Sequence, residues 1–179
     1  MRHPGGPTVD EPEDPDVAKS LTAQLDIATD LVTAYSLVTD ESYVNDVATA
    51  TGGTDVTVSV TPTHGGGADV VSSRTLPADV PSYAKAMIGE TISLTETRTF
   101  GPAAADGSRD GTITVAFAGA PVVITGTLRL SAGGGGTLVA VEMTIKAAVP
   151  FVGGKIEQLC ADQIEAALRQ EEKIANSRV

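Results

Sequence analysis

The sequence predicts an α+β fold in which a curved antiparallel sheet of about seven strands wraps around one long C-terminal helix. Three observations carry this. Valine- and threonine-rich segments that alternate apolar with polar residues run, with one interruption, from Val56 to Val149, and a period of two marks half-buried strands. Their connections are short and rich in glycine, which makes successive strands antiparallel neighbours. Finally, Pro150-Phe151-Val152-Gly153-Gly154-Lys155-Ile156-Glu157 closes the strands and opens a single amphipathic helix. A sheet that grips one helix leaves room for a cavity between the two.

Order begins after an arm. Residues 1–19 set Pro4, Pro7, Pro12 and Pro15 among Asp10, Glu11, Glu13, Asp14 and Asp16, with only Val9 and Val17 to bury. Such a segment cannot offset the entropy of ordering itself and reads as a disordered acidic arm, with partner docking as the functional alternative. The domain then runs over 20–179. Leu21, Ala23, Leu25 and Ile27 alternate with polar residues as a first strand. Asp30 is placed to cap a short helix through Leu31, Ala34, Tyr35 and Val38, and a second short helix spans about Glu41 to Ala50 before Gly52-Gly53 ends it.

Val56, Val58 and Val60 open the long run of strands, and the turn His64-Gly65-Gly66-Gly67 returns the chain through Ala68 to Leu76 as a hairpin. The one interruption starts at Pro81, suited to a first helical position, carries Tyr83, Ala84, Met87 and Ile88 on one face, and stops at Gly89. Strands follow over Thr91 to Phe100, Gly111 to Ala118, Val122 to Ser131 and Thr137 to Val149. In the closing helix, about Gly154 to Asn176, Ile156, Leu159, Cys160, Gln163, Ile164, Ala167 and Leu168 share an apolar face. Glu157, Asp162, Glu165, Arg169 and Glu172 take the other.

Composition narrows the function classes. In 179 residues aromatics make up 3%, so the core is built from Val, Ile, Leu and Ala. A net charge of −11 disfavours nucleic acid and anionic membranes as partners, because that binding is driven by Lys and Arg. The one cysteine, Cys160, cannot form an internal disulfide. With no apolar segment long enough for a leader or a span, the expectation is a cytoplasmic protein without membrane insertion.

The order of one strand, two short helices, six strands and a long final helix is similar to the helix-grip arrangement of the START-like, or SRPBCC, superfamily. Within it, the runs Arg74 to Tyr83, Gly89-Glu90-Thr91, Ala105 to Gly111 and Val149 to Glu157 resemble an actinobacterial family of unknown function, DUF2505. The resemblance covers about Leu21 to the C-terminus. It implies a hydrophobic cavity, in a superfamily that includes lipid carriers, hormone receptors, polyketide cyclases and hydrolase activators. One fold hosts many functions, and no catalytic residue carries over.

The residues offer little catalytic chemistry of their own. Gly153-Gly154-Lys155 lacks the earlier glycine and the following Ser or Thr of a phosphate loop. His64 is the only histidine outside the arm, which leaves little material for a metal site or a Ser-His-Asp triad. Cys160, on the apolar helix face, reads as a small hydrophobe. Asp30, Asp40 and Asp79 read as caps and turn residues.

Glu96 and Arg98 stand out, because they share strand parity with Ile92 and Leu94. If Ile92 and Leu94 face the cavity, so do these two charges, which must then be paired and can hold the polar head of a ligand. The alternative is a bulge near Thr95 or a place at the wet rim. Arg74 and Glu142 raise the same question less sharply.

These readings lead to a non-enzymatic binding or carrier protein for a hydrophobic or amphipathic small molecule, such as a lipid or a polyketide-like compound, without cofactor or metal. The expected lining is Ile92, Leu94, Ile113, Val115 and Phe117 from the middle of the sheet, Val139, Val141 and Met143 from the last strand, and Leu159, Cys160 and Ile164 from the helix. Glu96 and Arg98 are the expected polar contacts, and Tyr83 and Met87 the lid. Two alternatives stay open: a cyclase- or dehydratase-like enzyme using Glu96 as acid–base, and an interaction module whose core is filled by side chains such as Phe117 and Met143.

Overall fold

Alternation sets the first strand. In β1 (Lys19–Ile27), Leu21, Leu25 and Ile27 are buried while Thr22, Gln24 and Asp26 face out. The computed structural model describes residues 18–78, 80–82, 85–86 and 89–179. Most of the expected acidic arm therefore lies outside the described residues, and Lys19 already belongs to β1. The lid residues Tyr83 and Met87 also lie outside them.

Two capped helices follow. Asp30 accepts the N–H groups of Val32 and Thr33 at 3.0 and 3.1 Å and starts α1 (Leu31–Val38). Asp40 accepts the N–H of Tyr43 at 2.8 Å and starts α2 (Glu41–Ala50). Side-chain oxygens at these positions satisfy donors that the helix itself cannot.

The remaining strands are β2 (Thr54–Pro62), β3 (Ala68–Pro77), β4 (Thr91–Phe100), β5 (Arg109–Phe117), β6 (Val122–Gly133) and β7 (Gly136–Ala147). All neighbours are antiparallel in one seven-stranded sheet of order β1-β7-β6-β5-β4-β3-β2. Consecutive β1 and β2 thus form opposite edges, and α1 and α2 carry the chain between them. The β3–β4–β5 register is continuous through Ser73, Thr95 and Ala116, so no bulge reorients β4. The β2–β3 ladder does shift, between Thr54 and Thr57.

One face of the sheet carries the core. Phe100, Ile124, Leu130 and Ile145 are fully buried, each contributing about 1.5–3 kcal/mol by burial. Gly126 permits close strand approach in β6, since a Cβ there would lie 2.1 Å from the Glu142 carbonyl oxygen.

The final helix, α3 (Gly153–Arg178), lies across this face. Its buried positions Glu157, Ala161, Leu168, Glu171 and Ala175 fall on one stripe. The expected placement of Glu157 on the solvent face is therefore corrected: it is buried and accepts the N–H of Ala147 at 2.9 Å, tying the helix start to the end of β7. At the other end Glu172 accepts the N–H of Asp26 at 3.0 Å, and Asn176 both accepts from Ala28 N–H at 2.8 Å and donates to Asp26 O at 2.7 Å. No described helix is long and apolar enough to cross a membrane.

Candidate functional site

Between the sheet, α2 and α3 lies a cavity of about 270 Å³. Alternation in β3, β4 and β5 places Val70, Leu94, Ile113 and Val115 on its floor, and α2 contributes Tyr43, Val44, Val47 and Ala48 to a wall. The residues expected to line it divide cleanly. Ile92, Leu94, Ile113, Val115, Phe117, Met143, Leu159, Cys160 and Ile164 all do so. Val139 and Val141 do not, which corrects that part of the expectation.

Both valines sit nearer the start of β7 than Met143, opposite Leu25 and Ala23 and beside Leu130 and Leu128. There, with Leu168, they border a separate void of only about 20 Å³. Sharing a strand face with Met143 did not place them in the main cavity, because α3 crosses the sheet and its side chains close the space at that end. Phe117 and Met143 line the main cavity without filling it.

One part of the wall is charged. Glu96 and Arg98 face inward from β4 with Arg74 and Ser72 from β3, and Glu171 of α3 meets them. Arg98 donates from Nε to Glu96 Oε1 at 2.7 Å, and from Nη1 and Nη2 to the two oxygens of Glu171 at 2.6 and 2.9 Å. Arg74 donates from Nη2 to Glu96 Oε2 at 3.1 Å and from Nη1 to Ser72 Oγ at 3.2 Å. The four charged side chains are 6–18% exposed. Bidentate geometry of this kind makes a strong ion pair, provided every charge stays partnered.

Electrostatics follow from that pairing. Burial works to raise the Glu96 pKa, but Arg98 and Arg74 together outweigh it and hold the carboxyl below its usual range. Burial likewise opposes the charge of Arg98, yet Glu171 and Glu96 keep its guanidinium firmly protonated. A carboxylate so held is a weak base and has no proton to give near neutral pH, which argues against acid–base work by Glu96. Burial, with Glu171 beside it, pushes the Tyr43 hydroxyl well above its ordinary value. Cys160 rises to about 11, mainly through burial and then through Glu157.

Arg74, raised only as a lesser question in the sequence, belongs to the cluster, whereas Glu142 faces solvent. Glu171 and Tyr43 were missed. The signal for Glu171 was present: it stands three residues after Leu168 and four before Ala175, on the buried stripe. His64 is exposed, and among the described residues no group of three or more His, Cys, Asp or Glu side chains is arranged to hold a metal.

A seven-stranded antiparallel sheet with two short helices between its edge strands and a long helix across one face is a helix-grip fold. The family described as "Protein of unknown function (DUF2505)" matches residues 22–179, and the chain belongs to it. Solved structures share the fold at low identity. The protein TTHA0849 from Thermus thermophilus superposes with a TM-score of 0.60 at 14% identity, covering 89% of this chain and 99% of that one. Human STARD10 gives 0.58 at 8% identity, covering 87% of this chain and 62% of its own. A point mutant of norcoclaurine synthase from Thalictrum flavum, solved with a transition-state analogue, gives 0.53 at 12% identity, covering 90% and 96%. A comparison with curated protein sequences gives no match.

Proposed function

We propose that this protein binds a hydrophobic or amphipathic small molecule between its sheet and α3, as a carrier or receptor rather than an enzyme. The observation that carries the reading is the cavity itself, a space of about 270 Å³ with mostly apolar walls and one ordered polar cluster. That combination is the usual make-up of small-molecule sites, although the volume falls just below their usual range of roughly 300–1,000 Å³ and suits a small ligand. The norcoclaurine synthase structure, which holds a transition-state analogue on a similar fold, supports the binding of a small molecule by analogy but not the non-enzymatic part of the reading.

In this reading Ile92, Leu94, Ile113, Val115, Phe117, Met143, Leu159, Cys160 and Ile164 hold the apolar body, and the cluster containing Glu96 and Arg98 faces the polar end. The net charge of −11 disfavours nucleic acid as a partner. The test is native against denaturing mass spectrometry of the purified protein, with uptake of N-phenyl-1-naphthylamine in parallel. A discrete small mass released on unfolding, or saturable uptake of about one dye per chain, is expected. If no mass is released and no dye is taken up, the binding reading is overturned.

A further inference from the structure

Phe151 sits where neither burial nor backbone geometry favours a phenylalanine. Of the three phenylalanines in the chain, Phe100 is buried and Phe117 half-buried, whereas Phe151 is fully exposed, the most exposed large apolar side chain among the described residues. Its backbone is in the left-handed region, with φ at 66°. Among the described residues the other non-glycine with positive φ is Asp55, and aspartate tolerates that region where a bulky side chain is an outlier. The turn around it is tied down. Gly153 N–H donates to Val149 O at 2.9 Å, and Ala148 N–H donates to Pro121 O at 2.8 Å. The fold gains no core from this ring and glycine would suit its φ better, and strain kept in that way points to function.

The ring stands at the end of the sheet where the cavity nears the surface. Pro77, Pro121 and Val149 line the cavity, and the two prolines are also exposed. Three connections meet at this end. Two of them, residues 117–125 and 147–154, hold no charged residue in a chain of net charge −11, and the second is flanked by Lys146 and Lys155. In the third, between β3 and β4, Glu90 pairs with Lys85 at 3.6 Å, and Asp79 lies outside the described residues. The negative charge of the protein is thus carried mostly elsewhere.

We propose that this end of the sheet docks on a phospholipid surface with zwitterionic headgroups, with Phe151 seated at the boundary between headgroups and acyl chains. A fully exposed ring among uncharged turns, with two lysines behind it, matches that boundary, where apolar side chains are buried to a shallow depth and ammonium groups meet phosphate. A second copy of this chain fits less well, because one exposed ring on a turn is far from the roughly 800 Å² per partner that a specific protein interface buries. The docked chain touches the surface and does not cross it. Where the binding reading above holds, an apolar ligand passes between lipid and cavity at this end without crossing water.

The experiment floats the full chain with large unilamellar phosphatidylcholine vesicles through a sucrose gradient, as wild type, Phe151→Gly and Val32→Ser. Val32 is 76% exposed but lies on α1, whose Leu31 and Tyr35 reach Gly107 and Gly66 at the opposite end of the sheet, so it controls for exposed apolar surface in general. Wild type and Val32→Ser should bind the vesicles equally. Phe151→Gly should bind at least tenfold more weakly, the worth of burying one phenylalanine ring, while melting no lower than wild type because glycine accepts the positive φ. Phe151→Asn, also tolerant of that φ, should lose binding to the same degree and decides if the glycine variant does not fold. No flotation of the wild type, undiminished flotation of Phe151→Gly, or an equal loss in Val32→Ser would overturn the proposal. A dimer in sedimentation velocity that Phe151→Gly abolishes would overturn it too, by assigning the tip to a second copy. Uptake of N-phenyl-1-naphthylamine without vesicles should be the same in wild type and Phe151→Gly. A protein that takes up dye but does not float therefore refutes the docking alone, and one that floats without taking up dye refutes only the binding reading.

Discussion

Replacing Glu171 by leucine removes one charge from a buried cluster of four. Glu171 is 6% exposed and holds both Nη groups of Arg98, so its loss leaves Arg98 sharing Glu96 with Arg74 and the cluster carrying a net positive charge. Breaking a buried pair by removing one partner costs about 3–5 kcal/mol, a large fraction of the roughly 5–15 kcal/mol that holds a domain together. At about 2–4 °C per kcal/mol for a chain of this size, Glu171→Leu should lower the melting temperature by roughly 6–20 °C. Arg98→Met alone should cost a similar amount, since it leaves the cluster with a net negative charge. The double variant keeps only the neutral Arg74–Glu96 pair and should regain most of the loss, with a coupling energy above about 2 kcal/mol. Urea unfolding followed by circular dichroism, with an unchanged m-value, measures all four corners of the cycle. A single-variant loss below about 1 kcal/mol, the behaviour of an exposed pair, or simple additivity of the two losses would refute the reasoning.

Four further outcomes follow from the same structure. Cys160→Trp places an indole in the cavity from the α3 side and should abolish dye uptake while costing no more than about 1–3 kcal/mol of stability; undiminished uptake would refute the assigned helix face. With its pKa near 11, Cys160 should alkylate slowly with iodoacetamide at pH 8 and much faster as the pH approaches 11, and a rate at pH 8 equal to that of free cysteine would contradict this. By the same linkage, the stability owed to the neutral thiol is present below its ordinary pKa of about 8.5 and is lost as pH rises through about 11. Gly126→Ala sets a methyl 2.1 Å from the Glu142 carbonyl and should cost about 1–3 kcal/mol in a thermal melt, whereas a neutral result would mean the β6–β7 ladder gives way freely.

The sequence made the architecture readable because each element carries a local signal. Alternation in Leu21, Leu25 and Ile27, the carboxylates of Asp30 and Asp40 at helix starts, and the glycine turns each act within a few residues. Parity along β4 was enough to bring Glu96 and Arg98 to the same face as Leu94. Their partners were harder to read. The Arg74–Glu96 bond depends on Ser72 standing opposite Glu96, a register set by the whole hairpin, and the Arg98–Glu171 bond spans 73 residues. Glu157 and Glu171 were obscured by the habit of assigning charge to solvent, although both fall on the stripe that also holds Ala161 and Leu168. Val139 and Val141 show the converse limit: parity gives the face, but not which end of the face the crossing helix closes.

The hydrogen bonds that join Asp26 and Ala28 to Glu172 and Asn176 also bear on how the chain is made. As an edge strand, β1 exposes backbone groups on which a foreign strand could grow. Its ladder partner β7, where Leu25 meets Val139, is synthesised more than a hundred residues later, and the side chains that blunt its outer edge come later still. Until then β1 has no ladder partner. The sheet closes only after its last strand and helix emerge, so this protein should fold late, slowly and with a need for protection from its neighbours during synthesis.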